Sequence, residues 1–318
     1  MRLEEVQGLA TVLGGRVTAT RTLAGGFSHE TCLLTLTDGQ VVARLGGPDP
    51  RIEAAVMAAA RRHVPVPRVL HVLPAGSADG VTRPAMVLEH VQGTPLSDVL
   101  SRGRFGAADL RDLGAEVGRV VAAVGTATFG RPGFFADEHL AVHPQAPWSK
   151  QLAEFAVSCM AAASAQERLD PATRAAWADL CAAHAPALAV VDGHSRLVHA
   201  DTNPKNILVT RTGRGWRVDA LLDWEFGYAG CPYGDAANMA RFGADYPAGF
   251  LAGFLTAFAE HQPTGLPLAE DWAYLGRVLD MFALSDLVTR TGAHPIADQA
   301  AEQIRRWVAE GVPRHIPG

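Results

Sequence analysis

The sequence predicts an α+β chain of two lobes, a small β-rich N-terminal lobe over residues 1–91 and a larger helical lobe over 92–318. Three observations carry this expectation. The first ninety residues hold short Thr-, Val- and Leu-rich runs separated by turn signals. Beyond Gly93 the apolar residues recur at helical spacing. A chain of 318 residues is also longer than a single small core needs.

Taken in order, residues 17–25, 30–37 and 40–45 read as strands. Asp38-Gly39 between the second and third suits a type I′ turn. Residues 49–62 read as a helix with Ile52, Val56 and Ala59 on one face, ended by Pro65 and Pro67. Residues 68–73 and 84–91 supply two more strands. In the second lobe Leu110, Leu113, Val117, Val120, Val121 and Val124 form a helical stripe. Residues 148–169 read as one long helix, and Asp170-Pro171 opens the next, with Asp as cap and Pro at the first helical position. A β insertion follows at 206–209 and 216–222, and the chain turns helical again from Pro247.

Composition excludes several classes. No run approaches the ~18 apolar residues of a membrane span, and Met1-Arg2-Leu3-Glu4-Glu5 lacks a signal-peptide layout. Cys32, Cys159, Cys181 and Cys231 form no closely spaced pair, so a zinc cage or disulfide framework is not expected, and a cytoplasmic setting is the default. The net charge of −5 gives no basic footprint for nucleic acid. Only Lys150 and Lys205 are lysines among the 28 basic residues.

The chemistry concentrates in residues 197–209, Leu-Val-His-Ala-Asp-Thr-Asn-Pro-Lys-Asn-Ile-Leu-Val, followed by Leu221-Leu-Asp-Trp224. The pattern is H-x-D-x-x-x-x-N, a hairpin, then an Asp. The chain has only three Asn, which makes the spacing restrictive. Phosphoryl transfer needs these parts: a carboxylate to orient a hydroxyl and take its proton, and hard oxygen donors for Mg²⁺ on the phosphates. Asp201 suits the first role, and Asn206 and Asp223 the second. His199 suits a structural role in the loop.

Residues 199–209 resemble the catalytic loop of aminoglycoside phosphotransferases and related antibiotic and metabolite kinases. Residues 221–224 resemble their metal motif, and residues 230–237 their following G-D-P-x-x-D-L-A segment. Residues 23–28 are similar to the nucleotide loop and 86–96 to the hinge. The resemblance implies a bilobal protein-kinase-like fold and transfer of a γ-phosphoryl from ATP or GTP, with Mg²⁺, to a hydroxyl of a small molecule. An antibiotic is the expected acceptor, and a choline, homoserine or sugar kinase is the alternative. Neither nucleic acid nor a membrane is an expected partner.

Residue by residue, the resemblance sets Gly25, Gly26 and Ser28 over the phosphates and gives the backbone of Glu89 and Val91 to a purine edge. The N-terminal lobe has no lysine, and Arg44 stands where the kinase lysine is expected, with Glu53 as its partner. Arginine grips phosphate in a bidentate manner but differs in reach. The missing lysine also leaves open a catalytically inactive nucleotide-binding regulator. Lys205 is expected to face solvent. Glu225, Asp235 and Asp280 are candidate acceptor contacts, and Asp235 could equally brace the loop. Residues 191–318 hold fifteen acidic and eleven basic side chains, an excess that would attract a polycation. Trp272, Tyr274, Met281 and Phe282 on the same helices could instead stack on a nucleoside or macrolide.

Overall fold

The computed structural model describes residues 1–23, 29–77, 80–266 and 268–314. Helix α1 (Leu3–Leu13) leads into β1 (Val17–Thr22), β2 (Glu30–Leu36) and β3 (Gln40–Leu45). Helix α2 (Pro50–Ala60), β4 (Val69–Leu73) and β5 (Ala85–Glu89) follow. The five strands form one antiparallel sheet in the order β1-β2-β3-β5-β4.

Strand periodicity divides this sheet between two cores. Val41, Ala43 and Leu45 of β3 and Ala85 and Val87 of β5 join a small core with Leu9 of α1. The alternate residues Met86 and Leu88 join Val56 and Met57 of α2 in the large core, which continues into the helical lobe. Arg44 lies on that second face, next to Val42 and against α2. The alternation of β3 and β5 therefore places a charged side chain where the lobes meet.

The second lobe begins with β6 (Thr94–Pro95), α3 (Leu96–Ser101) and the long α4 (Ala107–Val124). Helices α5 (Trp148–Met160), α6 (Ala163–Arg168) and α7 (Pro171–His184) precede β7 (Arg196–Val198). Then come β8 (Ile207–Thr212), β9 (Gly215–Leu221), β10 (Tyr228–Gly230) and α8 (Tyr233–Ala240). Helices α9 (Phe250–Glu260), α10 (Trp272–Leu287) and α11 (Pro295–Glu310) complete the lobe. Strand β6 joins β8 and β9 in a three-stranded sheet, and β10 pairs with β7. None of the described helices is long and apolar enough to cross a membrane.

Three local expectations are corrected. Helix α1 was not anticipated; it is anchored by Glu5, which is fully buried and receives Arg83 at 2.8 and 2.9 Å as well as the Arg2 backbone N–H at 2.8 Å. The Arg83 guanidinium holds the Glu5 carboxyl down at about 2. The long helix over 148–169 is broken at Ala162, whose ψ of 141° is extended. The second piece is set by distant partners: the Ser164 hydroxyl donates to the Thr289 carbonyl at 2.6 Å, and Arg168 donates to the Arg290 and Gly292 carbonyls. The β2–β3 hairpin closes through the Leu36 N–H to the Gly39 carbonyl, and neither Asp38 nor Gly39 takes the positive φ of a type I′ turn.

Helices α4 and α9 cross at backbone contact. A Cβ on Gly114 would lie 2.0 Å from the Phe250 carbonyl oxygen, and one on Gly118 2.2 Å from that of Phe254. A Cβ on Gly253 would reach the Arg111 carbonyl oxygen at 2.0 Å. Helix α9 also brings fully buried Phe250, Phe254 and Phe258 into the core. An alanine at this crossing must push two helices apart, and overpacking of this kind costs about 1–3 kcal/mol. Gly118→Ala is expected to lose about that much in urea unfolding, whereas Gly193→Ala, with nothing within 4 Å and no left-handed φ, should lose much less. Equal losses in the two variants would show that the crossing has slack.

Candidate active site

The loop from His199 to Asn206 leaves β7, whose Val198 pairs with Tyr228 of β10. It ends in a tight turn over Pro204–Asn206 capped by the Asn203 side chain, whose oxygen accepts the Lys205 N–H at 2.9 Å. The Asp201 carboxylate stands between two amides. Asn203 Nδ2 donates to one oxygen at 2.9 Å, and Asn206 Nδ2 donates to the other at 2.6 Å. Asn206 also donates to the Asp201 carbonyl at 3.0 Å. Asn206 thus spends its NH₂ on Asp201, and its amide oxygen is what it can offer a cation. Its backbone carbonyl accepts the Leu222 N–H at 2.8 Å, which seats it beside Asp223.

His199 holds the loop from inside. It is fully buried, its Nε2 bonds the Leu222 carbonyl at 3.0 Å, and its Nδ1 accepts the Asp201 N–H at 3.2 Å. Those partners assign the Nε2–H tautomer. Its ring lies 4.3 Å from that of Trp224. Ala200 takes a left-handed φ of 68°, which costs an L-residue about 1–2 kcal/mol.

Asp235 supplies the compensation. It is fully buried, and its carboxylate accepts the His199 N–H at 2.9 Å and the Ala200 N–H at 2.8 Å. Its backbone carbonyl accepts the Thr202 hydroxyl at 2.6 Å. Of the two roles open to Asp235, the geometry gives the brace and not the acceptor contact. Burial pushes its carboxyl up to about 6 despite these donors.

The second cluster forms around Arg44, which is 7% exposed. Nη1 pairs with Glu53 of α2, and Nη2 donates to Asp223 Oδ1 at 2.7 Å. The same Nη2 lies 2.9 Å from Nδ1 of His29. Glu53 also accepts the Trp224 N–H at 3.1 Å, tying α2 to the turn that carries Asp223. That turn is sharp because Asp223 itself has a φ of 64°. Glu225 lies 3.6 Å from His29. Burial, aided by Arg44, pushes the His29 ring down to about 4, so it is neutral and able to accept at neutral pH. His29, Asp223 and Glu225 bring ligand atoms within 4.8 Å of one another. The carboxylate of Asp223 and the amide oxygen of Asn206 are hard donors that fit Mg²⁺.

Among the remaining expected residues, Glu89 ends β5, with its N–H donated to the Arg68 carbonyl at 2.9 Å and its side chain accepting the Arg68 N–H at 3.1 Å. Val91 lies in the connection between the lobes, two residues on. Gly25, Gly26 and Ser28 lie outside the described residues. Lys205 is exposed, as expected. Asp280 is 4% exposed and receives Arg241 at 2.8 and 2.5 Å, so its charge is already matched. Sequence reasoning missed Asn203, Arg241 and Asn238, which donates to the Ala200 carbonyl at 3.2 Å. Asn203 sits two residues from Asp201, a spacing at which an Asx side chain commonly bonds nearby backbone, and that was the available signal.

The Asp235 carboxyl titrates higher in the fold than in the unfolded chain, where 3.8 is ordinary. Its contribution to stability is therefore complete below the unfolded value and is lost as pH rises through about 6. Asp235→Asn lacks this titration. The unfolding free energy of the native chain minus that of the variant should fall by about 2 kcal/mol between pH ~4.5 and ~7. A difference that stays flat, or rises, in urea melts across that range would refute the burial argument.

The phosphotransferase enzyme family model (APH) matches residues 19–272. No curated protein sequence matches the chain. Among solved structures, a thermostable mutant of aminoglycoside phosphotransferase APH(4)-Ia is 18% identical, with 96% of this chain and 99% of that chain covered and a TM-score of 0.69. APH(2")-IIia is 14% identical, with coverages of 97% and 99% and a TM-score of 0.67. A Thermobifida fusca protein assigned as a fructosamine-3-kinase is 17% identical, with coverages of 95% and 98% and a TM-score of 0.61. At these identities the likeness is one of fold, the bilobal protein-kinase-like fold. The family model covers most of the chain, the loop, hairpin and strand-terminal Asp included: the chain belongs to the phosphotransferase enzyme family.

Proposed function

We propose that this phosphotransferase moves the γ-phosphoryl of ATP or GTP, with Mg²⁺, to a hydroxyl of a small molecule, and that the acceptor is an antibiotic. The observation that carries the transfer chemistry is the convergence of Asp201 and Asn206 on one loop with Asp223 and Arg44 beside it. Such a reaction asks for little covalent work from the protein and much positioning and charge neutralisation.

Asp201 accepts the proton of the acceptor hydroxyl and aims its oxygen at the phosphorus. The Asn203 and Asn206 amides keep the Asp201 carboxylate turned to the cleft. Arg44 grips phosphate oxygens while Glu53 holds it from behind. Asp223 and the Asn206 amide oxygen would hold the Mg²⁺, which neutralises charge on the phosphates. The Glu89 carbonyl and the Val91 backbone meet the purine edge.

The acceptor is assigned to a cavity of about 650 Å³ lined by α8, α10 and α11. Its wall includes Arg241, whose charge interacts with that of Asp201. Support for an antibiotic comes from fold relatives: APH(4)-Ia forms ternary complexes with hygromycin B and ADP or AMP-PNP, and APH(2")-IIia one with GDP and kanamycin. One observation favours the metabolite reading. The cavity wall carries Arg241, Arg277 and Arg306 against Asp245, Asp280 and Glu302, so it lacks the single-sign field that draws a polycation.

Coupled detection of ADP or GDP release, run over hygromycin B, kanamycin, choline, homoserine and a fructosamine, separates the two. Turnover with either antibiotic alone supports the first reading, and turnover with the metabolites alone replaces it. Asp201→Asn is expected to lower kcat by about 10²–10⁴-fold with nucleotide affinity kept. No transfer to any acceptor, together with equal basal nucleotide hydrolysis in native and Asp201→Asn protein, would sink the kinase reading in favour of a binding module. Arg44→Lys should raise the nucleotide KM about tenfold, because a point-like ammonium cannot serve Glu53, His29 and phosphate together.

A further inference from the structure

His29 takes no part in the chemistry above, yet it is built into the site. Its side chain is 9% exposed, and its Nδ1 lies 2.9 Å from Arg44 Nη2. The ring is backed by Gly47: a Cβ there would come within 2.4 Å of Nε2, and Gly47 holds a φ of 74°. Glycine is what leaves room for the imidazole. The ring is thus held from behind, with its acceptor nitrogen turned to the guanidinium.

A planar guanidinium keeps its orientation when acceptors meet it along more than one direction. Glu53 takes Nη1, and Asp223 and His29 share Nη2. Asp223 is also a candidate metal ligand, so its carboxylate would be shared between Arg44 and a cation. Glu53, Asp223 and Glu225 already set three carboxylates around one arginine. A further carboxylate would neutralise the charge that phosphate needs, whereas a neutral imidazole nitrogen adds direction without adding charge.

We infer that His29 is a positioning residue for nucleotide binding, fixing the plane of the Arg44 guanidinium through its Nδ1. The inference rests on the reading that Arg44 holds nucleotide phosphates. It also places the reporter of correct phosphate geometry directly after residues 24–28, where the nucleotide loop is expected.

The test is direct binding of N-methylanthraniloyl-ATP with Mg²⁺ to the full chain, read by fluorescence. His29→Ala should weaken binding about tenfold, the scale of one lost hydrogen bond to a charged group. His29→Asn should restore it to within about threefold, because an amide oxygen on Cγ stands where Nδ1 stood. His29→Gln, whose amide lies one bond further out, should stay as weak as His29→Ala. In an Arg44→Lys background, His29→Ala should add less than about twofold, because the group it orients is gone. Unchanged affinity in His29→Ala, an Asn variant as weak as Ala, or an additive effect in the Arg44→Lys background would each overturn the positioning role while leaving the phosphotransferase reading intact. A native chain that binds neither this probe nor N-methylanthraniloyl-GTP would overturn both.

Discussion

A guanidinium buried between two lobes governs this structure. Arg44 projects from the sheet face that meets the helical lobe, where it pairs with Glu53 of α2 and Asp223 of the turn after β9. A charge in that position is costly unless matched, and removing one partner of a buried pair costs about 3–5 kcal/mol. In the proposed reaction the same group also meets phosphate, so stability and function would compete for one side chain. Glu53, which binds both Arg44 and the Trp224 N–H, is a second tie across the joint.

The catalytic loop is a second place where local strain is held by distant partners. Ala200 and Asp223 both take left-handed backbone, in a chain where such residues are mostly glycine. These turns lie beside the Asp201 carboxylate, which Asn203 and Asn206 hold, and the Asp223 carboxylate, which Arg44 holds. Asp235, Asn238 and Thr202 absorb it by anchoring the loop to α8. Backbone N–H groups and a carboxylate do this in a dry interior, where an unmatched bond would be most costly.

Behind the loop, the helical lobe offers a rigid base. The α4–α9 crossing brings backbones into contact through glycines, and buried phenylalanines of α9 fill the core. Close packing of this sort leaves little room for adjustment, so the loop and its brace inherit a fixed frame. The cavity proposed for the acceptor is bounded by α8, α10 and α11, and its charge balance follows from how those helices face one another.

Much of this was legible in the residues alone. The alternation of β3 and β5, the H-x-D-x-x-x-x-N spacing and the Asp ending the β8–β9 hairpin are local patterns, and local patterns survive without a fold around them. Arg44 and Glu53 were expected as a pair from the family resemblance, and the two side chains do pair. What the sequence could not decide depends on contacts between distant segments. Asp235 reads as brace or acceptor contact until α8 is set under the loop, Asp280 reads as free until Arg241 reaches it, and residues 148–169 read as one helix until Thr289, Arg290 and Gly292 break it. Periodicity and spacing encode what each segment prefers, but which charge is matched and which bond is satisfied is settled by partners that only the closed chain brings within reach.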